Sequence, residues 1–319
     1  MGTDEFELIS RYLTPLAANE AARGLADDAA VFDVPEGFHG VVSTAALVSG
    51  VHFPCYATGD VVARRALGSA LSDLAAMGAT PTGCLLTWGI GPDWEDTFFT
   101  RFADAFKADL STYKVDLWGG DTVRAATPFI SVCVHGIGRK SDLLSRSGAQ
   151  AGDAVYVSGT IGDGFLGLQS FGTATGGDRV SAYEAPVPQL ALGQALAGVA
   201  SACIDVSDGL AADLDHICRA SQLAMEVEAM AVPLSAAGAA YAQGLGQLGT
   251  ILTGGDDYQL AFTVNAENEH KIKDIGRIAN VALTRIGAVS QSPEKHYAAR
   301  FMDAKGAEII FENRGYTHL

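Results

Sequence analysis

Hydrophobic residues follow two different spacings along the chain, and each spacing predicts one type of secondary structure. Spacings of three and four residues predict helices over Phe6–Leu16, Asp60–Met77, Trp94–Tyr113, Leu190–Ala200 and Gly209–Ala220. Short apolar runs predict strands over 40–48, Cys84–Ile90, Val115–Trp118, Phe129–Gly138, Ala154–Ser158 and Gln259–Val264. Strands and helices alternate in both halves of the chain, which is typical of two α/β domains.

The apolar pattern is interrupted near Arg146–Asp153, where Ser, Gly, Ala and Gln replace hydrophobic residues. We therefore expect an N-terminal domain over residues 1–145 and a C-terminal domain over residues 146–319. Within the first domain, Gly119–Thr122 reads as a turn between two strands. Within the second, Gly172–Asp178 reads as a loop rich in Gly and Thr.

The net charge limits the classes of binding partner, and the cysteine content indicates the cellular compartment. The formal net charge is −16, which argues against nucleic acid or an anionic membrane as a partner, because both require a basic surface. No run approaches the roughly 18 apolar residues that a membrane-spanning helix needs. Five cysteines occur without a CxxC pair, and the segment Met1–Glu5 lacks an apolar signal, so we expect a reducing, cytoplasmic location.

Aspartates next to glycine or small hydroxyl residues recur at the ends of the predicted elements. They occur in Asp27-Asp28, Ser72-Asp73, Gly120-Asp121-Thr122, Asp205-Val206-Ser207-Asp208-Gly209 and Gly255-Asp256-Asp257. Single Gly-Asp pairs are often only turns, and Asp208 alternatively caps the helix that follows it. Carboxylates that converge at strand ends also suit Mg²⁺, which prefers oxygen ligands and bridges carboxylates to phosphates. The pattern therefore favours a magnesium-dependent phosphoryl-transfer site.

Other nucleotide and catalytic motifs are weak or absent. The Walker loop GxxxxGK[ST] and the protein-kinase HRD and DFG motifs do not occur. Gly162–Gly167 matches GxGxxG, but it carries an aspartate where a pyrophosphate would bind, and the match alone is weak. His52 follows a predicted buried strand, where a lone histidine is more often a packed core residue than a functional one, while His135 and His216 read as structural. Ser72 and Ser207 have no identifiable triad partners.

Together these segments resemble the thiamine-monophosphate kinases, within the aminoimidazole-ribonucleotide-synthetase superfamily. The two most specific strings are Leu71–Ala79, which reads LSDLAAMGA, and Ile204–Leu210, which reads IDVSDGL. The other matching segments keep the family's order along the whole chain: Asp4–Ile9, Gly24–Ala30, Gly50–Phe53, Gly119–Thr122, Arg146–Ala149, Gly254–Tyr258 and Gly315–His318.

The resemblance implies a two-domain synthetase-like α/β (α+β) fold that pairs as a homodimer through its N-terminal domains. It implies transfer of a phosphoryl group from ATP to thiamine monophosphate, with Mg²⁺ as cofactor. The implied Mg²⁺ ligands are Asp28, Ser43, Thr44, Asp73, Asp121, Asp205 and Asp208. The implied ATP contacts are Gly120, Asp121, Arg146 and Ser207. The implied acceptor contacts are His52, Asp256 and Tyr316, with Phe311 as a further aromatic candidate.

One position departs from the family pattern. The family carries an aspartate after Ser-Thr in the first strand, whereas Ser43-Thr44 is followed here by Ala45. An aspartate there is expected to bind metal, so its absence removes a charge beside the phosphates. A catalytically weakened or non-catalytic nucleotide or thiamine-phosphate binding protein of the same superfamily is therefore the alternative. Another synthetase of the superfamily, such as a selenophosphate synthetase, is disfavoured because no cysteine precedes Cys55.

Overall fold

The computed structural model describes residues 5–173, 178–292 and 294–317, with only the backbone described for 178–180 and 245. The chain divides into two compact units. Unit 1 contains the chain up to Leu74 and Thr80–Lys140, and unit 2 contains Ala75–Ala79 and the chain from Ser141 onward. Asp4 and His318, which belong to the segments compared above, and residues 174–177 of the predicted loop lie outside the described residues.

Unit 1 is built on a four-stranded sheet with the strand order β1-β4-β2-β3. Its strands are β1 (Phe38–Val48), β2 (Thr80–Ile90), β3 (Asp116–Arg124) and β4 (Phe129–Arg139). Its helices are α1 (Glu5–Leu8), α2 (Gly59–Ala76) and α3 (Asp96–Tyr113). Strands β2 and β3 run parallel, whereas β4 pairs antiparallel with both β1 and β2.

One face of the unit 1 sheet is buried and the other is open. Alternate residues of β4 and β2 are buried, as expected for strands with one face toward a core: Ile130, Val132, Val134, Cys84, Leu86 and Trp88. Aromatic side chains of α3 pack on this face, with the ring of Trp88 lying 5.3 Å from that of Phe99 and 5.1 Å from that of Phe102. The register places Thr44, Ser131 and Thr87 on the opposite, open face.

Unit 2 is built on a six-stranded sheet with the order β10-β7-β9-β5-β8-β6. Its strands are β5 (Ala154–Ser158), β6 (Ala202–Val206), β7 (Ala224–Glu228), β8 (Gln259–Val264), β9 (Leu283–Ser290) and β10 (Ala299–Met302). Its helices are α4 (Asp163–Ser170), α5 (Asp178–Glu184), α6 (Leu190–Leu196), α7 (Leu210–Ser221), α8 (Ala236–Tyr241), α9 (Leu245–Thr253) and α10 (Ile272–Ala279). In the described part of the chain, no helix has the length and apolar character needed to cross a membrane.

The centre of the unit 2 sheet is buried on both faces. Odd and even residues of β5, such as Val155 and Tyr156, belong to two separate hydrophobic clusters. Helices α7 and α9 contribute to the first cluster, while α6, α10 and the end of α2 contribute to the second. This double coverage explains why β5 reads as a continuous apolar run rather than an alternating one.

Most predicted elements are confirmed, and two predictions are wrong. The segment Phe6–Leu16 is not one helix: α1 ends at Leu8 and is followed by a π-helical turn over Ile9–Leu13 and a 3₁₀ turn over Thr14–Leu16. Gly119–Thr122 is not a turn, because β3 continues through it to Arg124. The strand bulges at Trp118 and stays paired with β2, which the glycines permit by letting the two backbones approach closely.

Gly120 is the glycine in this strand that the packing requires. A Cβ atom at Gly120 would lie 1.7 Å from the carbonyl oxygen of Leu86, whereas one at Gly119 would lie 3.4 Å from the side chain of Leu85. We expect Gly120→Ala to lower the free energy of unfolding by about 1–3 kcal/mol or more, because the β2–β3 pairing must open. The matched variant Gly119→Ala should stay within about 1 kcal/mol of the wild type. Equal unfolding midpoints for the two variants in urea would contradict this account.

Candidate functional site

The predicted ligands of unit 1 fall into two groups. Asp28 and Asp121 line one cavity of about 600 Å³ together with Gly120, Thr122 and Thr87. The carboxylate of Asp121 accepts a hydrogen bond of 2.8 Å from the backbone amide of Thr122. Because Asp121 pairs with Thr87 in the parallel register, its side chain lies on the open face of the sheet.

The second group lies on the helix-covered side of the same sheet. The Ser43 hydroxyl of β1 donates a hydrogen bond of 2.5 Å to the Asp73 carboxylate of α2. Ala45 pairs with Val132 and therefore shares the face of Ser43, so the family's aspartate would project on the side of Asp73. Thr44 points to the opposite face, where its hydroxyl lies 3.4 Å from that of Ser131. Unit 1 thus brings Ser43 to Asp73, but it does not bring the Thr44 hydroxyl to them.

His52 organises the turn that follows β1. Its Nδ1 atom accepts a hydrogen bond of 3.0 Å from the amide of Val48, and its own amide donates to the Val48 carbonyl at 2.9 Å. Arg65 donates to the His52 carbonyl at 3.3 Å. An acceptor at Nδ1 places the ring proton on Nε2 in the neutral imidazole. The half-buried ring therefore helps to fix the turn that presents it.

In unit 2, the turn after β6 is held by a carboxylate that the sequence reasoning did not single out. One oxygen of Asp213 accepts hydrogen bonds of 3.1 Å from three successive amides, those of Ser207, Asp208 and Gly209. Helix α7 begins at Leu210, and Asp208 makes no capping hydrogen bond there. Capping by Asp208, which the sequence left open, is thus not observed; the N-cap position is Gly209, and Asp213 holds the amides of the turn that precedes the helix.

Negative charge is concentrated at this turn. Asp205 is buried near the end of β6. One carboxylate oxygen each of Asp208 and Asp213 and one ring nitrogen of His216 lie within 4.8 Å of one another. Burial raises the pKa of Asp213 well above its usual range, and the charges of Asp205 and Asp208 raise it further. Crowded carboxylates of this kind suit a divalent cation, which would offset their repulsion.

His216 and Arg146 flank the same turn. Burial lowers the pKa of His216, and the positive charges of Arg219 and Arg146 lower it further. Arg146 is exposed, so its guanidinium is accessible to an anion. Asp213 and His216 are one helical turn apart near the start of a predicted helix. This spacing is the signal in the sequence that could have identified both residues.

The C-terminal segment packs over this turn. The Tyr316 amide donates a hydrogen bond of 2.9 Å to the Asp208 carbonyl. Arg314 secures the segment to α7 through two hydrogen bonds to the Asp215 carboxylate, of 2.5 and 2.9 Å. Tyr316 therefore lies beside the Asp205–Asp208 turn, whereas the ring of Phe311 packs edge-on against that of Phe301 at 5.3 Å.

The GxGxxG segment holds a carboxylate of the protein itself. Gly162 precedes α4, and its amide donates to both oxygens of Asp257 at 2.9 and 2.8 Å, while the Gly164 amide donates at 3.1 Å. Asp257 thus occupies the helix N-terminus where a pyrophosphate would bind in a dinucleotide fold. The neighbouring Asp256 instead accepts a hydrogen bond of 2.9 Å from the Tyr258 hydroxyl.

The protonation of Asp257 should make stability depend on pH. Desolvation raises the pKa of Asp257 to about 7, although the amides of Gly162 and Gly164 act to lower the pKa. Between about pH 4 and 7 the folded protein keeps a proton that the unfolded chain has released, so this group's contribution to stability falls as the pH rises. Asp257→Asn cannot titrate in this range.

The quantity to compare is the free energy of unfolding of the wild type minus that of Asp257→Asn. We expect this difference to decrease by on the order of a few kcal/mol as the pH rises from about 4 to 7. Urea denaturation of both proteins across this range measures the difference. A difference that is constant with pH, or that grows as the pH rises, would show that Asp257 does not titrate in this way.

Both units match models of known domain families. Residues 26–138 match the N-terminal domain, and residues 150–298 the C-terminal domain, of AIR synthase related proteins. A crystal structure of thiamine-monophosphate kinase from Stenotrophomonas maltophilia is similar with a TM-score of 0.83 and 33% identity, covering 94% of this chain and 97% of that one. A structure of AaThiL complexed with AMPPCP and TMP is similar with a TM-score of 0.77 and 26% identity, covering 99% and 97%.

The sequence similarity extends over the full length of curated relatives. The thiamine-monophosphate kinase of Salmonella typhimurium is 36% identical over 329 aligned positions, which cover 100% of this chain and 99% of that protein. An alignment of this identity from end to end includes both units and the segments Leu71–Ala79 and Ile204–Leu210. The chain therefore belongs to the thiamine-monophosphate kinase family.

Proposed function

We propose that this protein phosphorylates thiamine monophosphate to thiamine diphosphate, with ATP as the phosphoryl donor. The observation that carries the proposal is the end-to-end match to relatives that bear this name. The complex of a similar structure with AMPPCP and TMP supports the same pair of ligands. The two-unit fold and the acidic turn after β6 are compatible with this chemistry.

The reaction needs little covalent help from the protein. An oxygen of the acceptor phosphate attacks the γ-phosphorus of ATP, the bond from that phosphorus to the β-γ bridging oxygen breaks, and ADP leaves. A phosphomonoester with a second pKa near 6 is largely a dianion at pH 7, so no general base is required. The task of the protein is to hold two anions in line and to offset their repulsion.

We assign the binding of Mg²⁺ to the carboxylates and hydroxyls named above. The proposed ligands are Asp28, Ser43, Thr44, Asp73, Asp121, Asp205 and Asp208. In unit 1 the Ser43–Asp73 contact supports a cation beside Asp73, and in unit 2 the crowding of Asp205, Asp208 and Asp213 supports a cation beside their turn. When bound, Mg²⁺ would neutralise phosphate charge. The Thr44 hydroxyl, like Asp28 and Asp121, lies on the other face of the sheet from Ser43 and Asp73, so these ligands of unit 1 form two separate groups.

For ATP, the proposed contacts are Gly120, Asp121, Arg146 and Ser207. Arg146 is exposed and its positive charge lowers the pKa of His216, which supports a bidentate contact of its guanidinium with a phosphate. For the acceptor, the proposed contacts are His52, Asp256 and Tyr316. The carboxylate of Asp256 suits the cationic thiazolium ring, and an aromatic face suits it by cation–π attraction.

We also propose that the protein acts as a homodimer paired through its N-terminal domains. The open face of the unit 1 sheet supports this, because it exposes apolar side chains on both edge strands: Val42 is 61% exposed and Val123 is 40% exposed. A reducing, cytoplasmic compartment fits the five cysteines, which form no disulfide among the described residues.

The kinase proposal is tested by product formation. We expect the purified protein to release ADP and form thiamine diphosphate only when ATP, Mg²⁺ and thiamine monophosphate are all present. Chromatographic detection of thiamine diphosphate is the measurement, with thiamine in place of its phosphate and EDTA in place of Mg²⁺ as controls. Tight binding of both ligands by calorimetry without turnover would instead establish the non-catalytic alternative.

Ala45 offers a direct test of the metal electrostatics. Ala45→Asp adds a carboxylate on the face of Ser43 and Asp73, so we expect kcat to rise about tenfold or more, and added Mg²⁺ with ATP to raise Tm more than in the wild type. The matched control is Ala108→Asp, which adds the same charge at an exposed position of α3, outside the open face of the sheet. The same effect from both substitutions, or from neither, would contradict the placement of metal near Asp73.

The dimer is tested by a charge on the open face. We expect Val42→Glu to convert a dimer into a monomer in multi-angle light scattering, because a carboxylate buried at the interface without a partner is costly. Val187→Glu, at a residue of unit 2 that is 60% exposed, is the control. A wild type that is monomeric across micromolar concentrations would refute pairing through this face.

A further inference from the structure

The loop over residues 254–258 has an unusual backbone. Gly255, Asp256 and Tyr258 all lie in the left-handed region, with φ angles of +73°, +67° and +52°. Glycine adopts this conformation readily and aspartate tolerates it, but a tyrosine there is uncommon and costs energy. Such a conformation persists only where the surrounding structure holds it in place, and two sets of contacts do so here.

The first set joins the loop to the acidic turn after β6. The Asp256 amide donates a hydrogen bond of 2.8 Å to the Ser207 carbonyl, and the Tyr258 amide donates one of 2.7 Å to the Val206 carbonyl. A Cβ atom at Gly255 would lie 2.6 Å from the Ser207 carbonyl oxygen, so only glycine fits there. The loop and the turn are therefore in direct backbone contact.

The second set joins the loop to the start of α4. The Asp257 carboxylate holds the amides of Gly162 and Gly164, as described above. A Cβ atom at Gly164 would lie 2.0 Å from the Asp256 carbonyl oxygen, so the helix start packs directly on the backbone of Asp256. Asp257 thus fixes the loop from the side opposite to the acidic turn.

These contacts give two adjacent carboxylates different tasks. Asp257 is turned toward the amides of α4, whereas the carboxylate of Asp256 receives the Tyr258 hydroxyl. The backbone at Asp256 is held by the acidic turn on one side and by the start of α4 on the other, and its carboxylate is held by the hydroxyl of Tyr258. Its direction is therefore set before any ligand binds, which lowers the entropic cost of binding.

We propose that Asp257 and Tyr258 are positioning residues that aim the Asp256 carboxylate at the acceptor. This inference rests on the proposed function, in which Asp256 contacts the cationic ring of thiamine monophosphate. Asp257 acts through the backbone of the loop and Tyr258 through the hydrogen bond to Asp256, and neither touches the acceptor. Loss of either should weaken acceptor binding while ATP binding is kept.

Asp163 provides a matched control at the same helix start. Its two oxygens accept hydrogen bonds of 2.5 Å from the hydroxyls of Thr160 and Ser235, neither of which belongs to the loop. Asp163→Asn therefore perturbs a half-buried carboxylate at the start of α4 without releasing the loop. A purely structural role for Asp257 would give Asp163→Asn and Asp257→Asn the same kinetic behaviour.

The experiment is steady-state kinetics of the full-length wild type and of Asp257→Ala, Asp257→Asn, Tyr258→Phe and Asp163→Asn, with Tm recorded for each. We expect Asp257→Ala and Tyr258→Phe to raise KM for thiamine monophosphate about tenfold, because each removes hydrogen bonds that involve a carboxylate. KM for ATP should change less than about twofold. Asp257→Asn, which keeps one acceptor oxygen, should recover part of the loss, and Asp163→Asn should leave both KM values unchanged.

Tyr258→Phe keeps the test decisive if Asp257→Ala does not fold, because it removes a single hydroxyl. An active wild type whose acceptor KM is unchanged in Tyr258→Phe and in every folded Asp257 variant overturns the positioning role and leaves the kinase function intact. Equal rises in both KM values also overturn it, because they indicate a general loss of structure. A wild type without turnover overturns the kinase function and the positioning role together.

Discussion

Two desolvated carboxylates hold backbone amides at the starts of two helices, and two neighbouring loops of unit 2 depend on them. Asp213 accepts hydrogen bonds from three amides before α7, and Asp257 accepts them from two amides at α4. A buried amide left without a partner costs about 1–3 kcal/mol, so each carboxylate stabilises a local geometry that the backbone alone would not keep. The hydrogen bond from Asp256 to Ser207 then links the two loops.

The aspartates of unit 2 therefore separate into two kinds. Asp213 and Asp257 are used by the backbone, and desolvation raises the pKa of both. Asp208 and Asp256 are instead held through their backbone amides, and their carboxylates do not take part in those contacts. The Asp and Gly residues of these two loops thus serve the folding of this chain, besides the chemistry proposed above. The cation proposed at Asp208 and the acceptor proposed at Asp256 both need contacts whose positions are set in advance, and the first kind of aspartate sets the positions of the second.

The sequence predicted the elements well where a single physical pattern dominated. Both faces of β5 are covered, so its apolar run was predicted to the residue, as was β8. Gly119–Thr122 was misassigned because glycine and aspartate usually signal a turn, whereas here the glycines permit a close parallel pairing with β2. The family resemblance implied that Asp256 contacts the acceptor, but it did not distinguish the structural role of Asp257. That distinction depends on which carboxylate faces α4, a contact between residues about 95 positions apart in the chain.

Unit 1 shows the same limit from another side. Ser43 and Thr44 are adjacent in sequence and were predicted to act together, yet strand alternation sends their side chains to opposite faces. Ser43 contacts Asp73, and Ala45 shares that face, so the one departure from the family pattern falls where it bears directly on a proposed ligand.

The division of aspartates into two kinds is tested most directly by locating the metal. Crystals grown with Mn²⁺ and a non-hydrolysable ATP analogue would show the cation by its anomalous scattering. We predict a peak in contact with the Asp208 carboxylate and the nucleotide phosphates, with Asp213 and Asp257 still bound to their amides. A metal coordinated by Asp257, or by Asp213 after it has released the amides of the turn, would contradict the account.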